Sequence, residues 1–329
     1  LRQSLKFDDL EALNCPNVSE IEINDSCNLD CVMCKTSLSR RAKGLMDLSL
    51  FEQVVARLAE NEMFTTSLHT IGDPLANRNL GKYFEILRRY GMTVKNLSSN
   101  CLLVERHLDT IFEYRDIITK FRPSIDAASK EVYERIRVGG KWEDLHRNLH
   151  LFAERNAAAN NPFPVQVNNI VSKDNYNELA LIPHVFSFLC PTDNFLFGFV
   201  NSLSPTNDYF MNANFFEGNY LQNKPCHMPF NSAFILKEGD VSLCCRDYHG
   251  EIILGNVKDW KERGSPWKDG IDNERLQAIR AAHLGGGAED MPALCRSCYM
   301  IDPRLSELLS DVIRFFYKAG GKDPSVLQD

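Results

Sequence analysis

The sequence predicts an α/β chain: a partial (β/α)6 barrel of the TIM type, followed by a small C-terminal domain made of a β-hairpin and a helix. Three observations predict it. From about residue 19 to 200, short β-branched or apolar runs alternate with amphipathic stretches, the pattern of repeated βα units around a parallel sheet. That periodicity stops in 201–224, which is rich in Asn, Phe, Tyr and Gly and reads as a long connecting loop over the barrel mouth. Beyond it, 233–236 and 241–244 flank the turn residues Lys237, Glu238, Gly239 and Asp240, which reads as a hairpin.

Taken in order, the predicted strands are 20–24, 67–71, 93–98, 118–125, 165–171 and 194–200. The predicted helices between them are 50–60, 80–90, 106–114, 130–137 with 142–154, and 177–188. Six strands fall short of a closed eight-stranded barrel, and sites in such folds sit at the C-terminal strand ends. Helices at 273–283 and 303–319 follow the hairpin. The expected division is an N-terminal extension (1–18), the barrel (19–200), and the loop, second domain and terminal helix (201–329).

The chain has 329 residues, 44% of them hydrophobic, enough for a full core. Its net charge of -7 argues against a phosphate-tracking nucleic-acid binder and suits cationic or neutral substrates. There is no 18-residue apolar run, and no signal-like core precedes Asp8 and Asp9, so a cytoplasmic location without membrane contact is expected. In that reducing compartment, eleven cysteines point to metal binding or redox work rather than disulfides.

The first predicted strand runs into Cys27, Cys31 and Cys34 with C-x3-C-x2-C spacing. Three thiolates on one loop can each reach a different iron of one cubane cluster and leave the fourth iron open. Zinc or packed free thiols are the competing readings. These residues resemble the cluster loop of the radical S-adenosylmethionine (SAM) superfamily, and the resemblance covers most of the chain. It implies a 4Fe–4S cluster whose open iron is chelated by SAM, and reductive cleavage of SAM to a 5'-deoxyadenosyl radical that abstracts hydrogen from carbon.

Further segments resemble the family in chain order. Gly72, Asp73 and Pro74 are similar to its Gly-Gly-Glu-Pro loop, whose backbone holds the SAM ammonium; Ile71 and Asp73 replace the first Gly and the Glu. Ser99 and Asn100 resemble its Thr-Asn-Gly element, with Cys101 in place of Gly. Ser124, Asp126 and Arg137 resemble its ribose- and carboxylate-proximal strand and the helix after it. Taken singly, each is also an ordinary turn or helix cap.

Downstream, Cys226, Cys244, Cys295 and Cys298 form a second group, with Cys295 and Cys298 as a C-x2-C pair. Spacing alone leaves an iron–sulfur cluster and a four-cysteine zinc site open. The segment resembles the abbreviated SPASM domain called twitch, which implies one auxiliary 4Fe–4S cluster here and two clusters in total. Cys15, Cys101 and Cys190 are read as packing thiols. Cys245, adjacent to a predicted ligand, faces away from it in an extended strand. It is a candidate catalytic residue together with Arg246, Asp247 and Tyr248, which follow the hairpin.

The resemblance extends to radical SAM aminocyclitol dehydrogenases and sugar epimerases. It implies oxidation or epimerisation at a carbinol carbon of a polar small molecule, with an external one-electron donor such as flavodoxin or ferredoxin. In oxidation the auxiliary cluster takes the second electron; in epimerisation a thiol such as Cys245 returns hydrogen. Ribosomal peptide modification is the alternative, lowered because only about 18 residues precede the first predicted strand. A non-catalytic metal-binding module is the third reading.

Overall fold

Seven short strands lie side by side in parallel, β1 (Asn17–Ile21), β2 (Thr65–Thr66), β3 (Thr93–Val94), β4 (Leu97–Ser99), β5 (Phe121–Pro123), β6 (Val167–Val171) and β7 (Phe195–Phe199). The computed structural model describes residues 17–34, 36–200, 208–215, 226–247, 249–260, 271, 273–285, 288–298 and 303–318, so Cys15 and Tyr248 lie outside the described residues. Pairing runs β2 with β3, β4 with β5 and β6 with β7, joined by parallel bridges Glu20–Ser67, Val94–Ile118, Phe121–Val165 and Ser124–Asn168. Since β3 and β4 are two halves of one position, the sheet has the six parallel positions of a partial barrel, and no closure is seen among the described residues.

Helices α1 (Leu48–Glu60), α2 (Leu80–Arg89), α3 (Val104–Glu113), α4 (Lys130–Ile136) and α5 (Trp142–Ala157) cover the outside. α1 shows why. Asp47 caps it by accepting from the Ser49 and Leu50 amides, and Leu50, Phe51, Val54, Val55 and Leu58 fall on one buried face. Each such side chain contributes roughly 1.5–3 kcal/mol of burial. In β5 the alternation is equally plain: Phe121, Pro123 and Ile125 are buried against the helices, while Arg122 and Ser124 take the other face.

Several predicted boundaries move. The second strand ends near Ser67 rather than running to 71, because the chain bends there to bring Gly72 against the end of β1. The third strand breaks at Lys95 and Asn96, where pairing passes from β2 to β5. The predicted helix 177–188 is reduced to α6 (Ile182–Val185) and a preceding 3-10 turn. Pro183 sits at its start, and the Glu178 carboxylate is drawn to the Ala128 and Ser129 amides at the head of α4. Within the predicted loop, α7 (Asp208–Ala213) is helical, and 201–207 and 216–225 are outside the described residues.

After α8 (Met228–Asn231) the predicted hairpin is present as β8 (Ser232–Ile235) and β9 (Asp240–Ser242), and β10 (Ile253–Asn256) adds a strand. β8 pairs in parallel with β1, so the hairpin continues the barrel sheet in the order β1-β8-β9-β10. Glu22 cements this junction. Its buried carboxylate accepts from both Arg41 Nη atoms at 2.7 and 2.8 Å, from Thr70 Oγ1 and from the Lys237 amide. α9 (Glu274–Leu284) and α10 (Ala293–Arg296) follow, and α11 (Pro303–Lys318) packs on β7, its Ser306 and Ser310 hydroxyls accepting from the Phe199 and Phe197 amides.

Candidate active site

The three N-terminal thiols stand where β1 ends. Two backbone bonds, Asp30 N to Val138 O and Val32 N to Ile136 O, pin their loop to the exit of α4. Leu29, Met33, Ile136 and Val200 form a small apolar core around Cys31, with Cys27 and Cys34 packed against it. Burial pushes the Cys27 thiol up to about 11, with Asp73 adding to the effect, and the Cys34 thiol up to about 12; Cys31 is also raised, again chiefly by burial. A cavity of about 470 Å3 opens beside Cys27, Asn28, Lys43 and Gly139.

The other predicted SAM-site segments converge on this loop. Asn24 Nδ2 donates to the Ser26 and Asp73 carbonyls, both at 2.8 Å, and the Asp73 amide donates to Ser26 O. Gly72 lies so close to the end of β1 that a Cβ there would meet Asn24 O at 2.2 Å and Ser26 O at 2.9 Å. Pro74 begins the 3-10 turn Pro74–Ala76, capped by Asp73. The Asp73 carboxylate also accepts from the Ser99 hydroxyl and from the Asn100 amide at 2.8 Å. Asn100 Nδ2 in turn reaches Cys27 Sγ at 3.6 Å and Asn28 Oδ1 at 2.9 Å. The Ser124 amide donates to Ser99 O, and Arg137, ion-paired with Asp126, reaches Cys31 Sγ at 3.7 Å. Cys101, at the position of the family glycine, has φ 69, the left-handed region that favours glycine.

Cys226, Cys244, Cys295 and Cys298 come from three separate segments and line one cavity with Met228, Leu243 and Leu294. α10 carries Cys295, and Cys298 follows one turn later, its amide donating to Cys295 O. Burial raises Cys226 and Cys295 to about 12 and also raises Cys298. Cys244 moves the other way, because the Cys245 thiol and the Arg246 amide both donate to its sulfur. Among the described residues, no three His, Cys, Asp or Glu side chains are drawn together as the shell of a single ion requires. Two sets of unbridged thiols, half-buried except for the buried Cys31, with N–H donors at several of their sulfurs, are a donor set suited to iron–sulfur clusters.

The candidate catalytic residues do not stay together. Arg246, expected at the substrate cavity, lines the four-thiol cavity, its Nη1 3.4 Å from Cys298 Sγ. Asp247 is buried under its own turn. Its carboxylate accepts from the Glu251 and Ile252 amides, each at 2.7 Å, and from Ser242 Oγ at 3.0 Å, so it holds the loop rather than facing a cavity. Cys245, expected to face away from Cys244 in an extended strand, instead turns its thiol to the Cys244 sulfur, because β9 ends at Ser242 and 245–246 form a turn; it is also within electrostatic reach of Glu20 on β1. Burial and the Cys244 thiolate raise Glu20 to about 8, while burial and then Arg122 lower His69 to about 4. Sequence reasoning passed over Glu20 and Arg122. The available signal was charged residues at period two in segments whose alternate positions are apolar: Glu20 in β1 and Glu22 just after it, and Lys120 just before β5 and Arg122 in it.

The radical SAM superfamily model matches residues 21–171, and the iron–sulfur cluster-binding SPASM model matches 226–299. A curated relative, the S-adenosyl-L-methionine-dependent 2-deoxy-scyllo-inosamine dehydrogenase of Niallia circulans, is 27% identical over 292 residues, 88% of this chain and 94% of the relative. Among solved structures, BtrN in complex with AdoMet and 2-DOIA aligns over 87% of this chain and 94% of its own, at 18% identity and TM-score 0.58. Streptococcus suis SuiB bound to precursor peptide SuiA aligns over 83% of this chain and 69% of its own, at 14% identity and TM-score 0.59. These two likenesses are of fold. The radical SAM domain binds a 4Fe–4S cluster and SAM, and the SPASM domain binds further iron–sulfur. No described helix is long and apolar enough to cross a membrane. With the thiol loop and the segments that meet it inside the first match, and the four-thiol cavity inside the second, the chain carries a radical SAM domain and a SPASM domain.

Proposed function

We propose that this enzyme oxidises a carbinol carbon of a polar small molecule, with Cys27, Cys31 and Cys34 holding the SAM-binding cluster and Cys226, Cys244, Cys295 and Cys298 holding one auxiliary cluster. The observation that carries the reading is the four-thiol cavity. Four thiols from three segments can close a cluster's coordination, which suits an electron acceptor rather than a second SAM site. The alignment of the dehydrogenase over most of both chains supports the same class of reaction.

When bound, the first cluster and SAM supply a hydrogen-abstracting carbon radical. The chain's own residues prepare that chemistry. The N–H donors of Asn100 and Arg137 face the Cys27 and Cys31 sulfurs and favour thiolate over thiol at an otherwise costly buried site. Gly72 and Asp73 keep their strand end against Asn24, leaving backbone groups there to orient the SAM amino acid moiety. Arg246 does for the second thiol set what Arg137 does for the first. An external one-electron donor such as flavodoxin or ferredoxin completes the proposal.

Epimerisation is the second reading, favoured by one observation: the half-buried Cys245 thiol donates to the Cys244 sulfur, a contact that, with burial, raises it and favours the S–H form a hydrogen donor needs. Anaerobic turnover in deuterated water separates the two by mass. Oxidation gives a product lighter by two hydrogens and survives Cys245→Ala. Epimerisation gives a product carrying one solvent deuteron and stops in Cys245→Ala while 5'-deoxyadenosine still forms. A product formed by crosslinking within a peptide would overturn both readings.

A further inference from the structure

Toward the starts of the strands, a cavity of about 770 Å3 is bounded by β5, β6, β7, the β3–β4 break and α11. Its lining includes the exposed Lys95 and, both half-buried, Lys120 and Arg122. Each of the latter two is oriented by a neutral amide: Lys120 Nζ donates to Gln166 Oε1 at 3.2 Å, and Arg122 Nη2 donates to Asn168 Oδ1 at 2.9 Å. None of the three makes an ion pair among the described residues, whereas Arg88, Lys130 and Arg147 on the outer surface all do. The Nε of Arg122 is buried with no hydrogen-bond partner, and burial weakens its charge; the carboxylate acting on it is Glu20, beyond ion-pair distance. On the rim, Arg314 is paired with Asp311 at 2.9 Å, which leaves Glu307, exposed, as the remaining carboxylate of the lining.

The local charge thus opposes the net charge of -7 for the chain. A partly buried guanidinium held by a neutral amide, with a free N–H and two lysines lining the same cavity, lacks the anion that such groupings ordinarily take. Two lysines and an arginine match a phosphate dianion better than a singly charged carboxylate, and the volume is that of a small-molecule site. We propose that this cavity binds the phosphate group of a phosphorylated polar substrate, with Arg122 as its main contact and Lys120 and Lys95 neutralising the rest. The proposal rests on the reading that a small molecule reacts inside the barrel, and it sets this chain apart from the inosamine dehydrogenase, whose amine-bearing substrate three cations would repel.

The test is equilibrium binding by calorimetry to the reconstituted protein, with glucose 6-phosphate, glucose, 2-deoxy-scyllo-inosamine and an acidic peptide as probes. Glucose 6-phosphate is expected to bind, to weaken as salt rises and to raise the melting temperature; glucose and the inosamine are expected not to bind measurably. Arg122→Gln should weaken glucose 6-phosphate by at least about tenfold and Lys120→Gln by less, and melting curves of both variants report whether they fold. Arg122→Lys, which keeps the charge without the fork, should fall between wild type and Arg122→Gln. Tighter binding of glucose, the inosamine or the peptide than of glucose 6-phosphate by wild type would overturn the proposal, as would unchanged affinity in folded Arg122→Gln. Binding needs no turnover, so a negative result here leaves SAM cleavage and product mass to judge the oxidation reading on their own.

Discussion

Arg137 and Asp126 form a buried ion pair, 2.5 Å between Nη2 and Oδ2, beside the first thiol loop. Burial alone would weaken the Arg137 charge, but Asp126 and the Cys31 sulfur outweigh it and hold the group ionised. Asp126 is fixed in turn, with φ 74, by the Asn169 side chain, the Ile170 amide and the Asn175 side chain. Arg137→Met leaves that carboxylate buried without its partner and is expected to cost about 3–5 kcal/mol in denaturant unfolding. Adding Asp126→Asn should recover part of the loss. Simple addition of the two single effects would show that the pair is not coupled.

Gly72 has no room for a side chain. The nearest atoms to an added Cβ are backbone carbonyls of Asn24 and Ser26, which cannot rotate away. Gly72→Ala should therefore push the Gly72–Asp73 segment off the end of β1 and weaken SAM binding by at least about tenfold, while the second thiol set keeps its iron. Unaltered SAM affinity by equilibrium dialysis would show that this close approach does not shape the SAM site.

Asp247 tests the division between loop-holding and catalytic roles. Removing its carboxylate orphans the Glu251 and Ile252 amides and leaves the Ser242 hydroxyl only its longer bond to the Cys244 carbonyl. Asp247→Ala should cost roughly 1–3 kcal/mol per buried donor left without a partner and lower the melting temperature. A variant of wild-type stability that makes no product would return Asp247 to the catalytic list.

His69 is held neutral, its ordinary value of 6.5 lowered to about 4 by burial and then by Arg122. Because the folded value lies below the unfolded one, the contribution to stability is full above pH 6.5 and lost as pH falls through the interval down to 4. His69→Gln removes the effect. Between pH 7 and pH 5, wild type should lose more stability than the variant, by up to about 2 kcal/mol in urea unfolding. Parallel losses in the two proteins would place the acid sensitivity elsewhere.

Much of the barrel was legible because its signals are local. Asp47 before an apolar 3.6-residue stripe marks α1, and Ser129 marks α4, so those helices stand within two residues of their predicted starts. The thiol spacing likewise exposed both sets of candidate ligands, though not whether each holds a cluster or zinc. What the sequence hid depends on partners far along the chain. Nothing local says that β8 adds in parallel to β1, or that Glu22 gathers Arg41, Thr70 and Lys237 to weld that junction. Arg246 and Asp247 are adjacent polar residues after a hairpin, alike in pattern. One turns to Cys298, a partner 52 residues away, and the other to amides of its own loop, a division that the residue types alone do not mark.

The central claim is that two independent thiol sets hold clusters and that the first alone governs SAM cleavage. It is tested most directly by iron content and 5'-deoxyadenosine formation, measured anaerobically on reconstituted wild type, on Cys27/Cys31/Cys34→Ala and on Cys226/Cys244/Cys295/Cys298→Ala. Wild type should hold roughly eight iron per chain and each variant roughly half. The first variant should form no 5'-deoxyadenosine, and the second should still form it while making no product. A wild type that takes up zinc alone without charge-transfer absorption, or a folded second variant that loses SAM cleavage as completely as the first, would contradict the account.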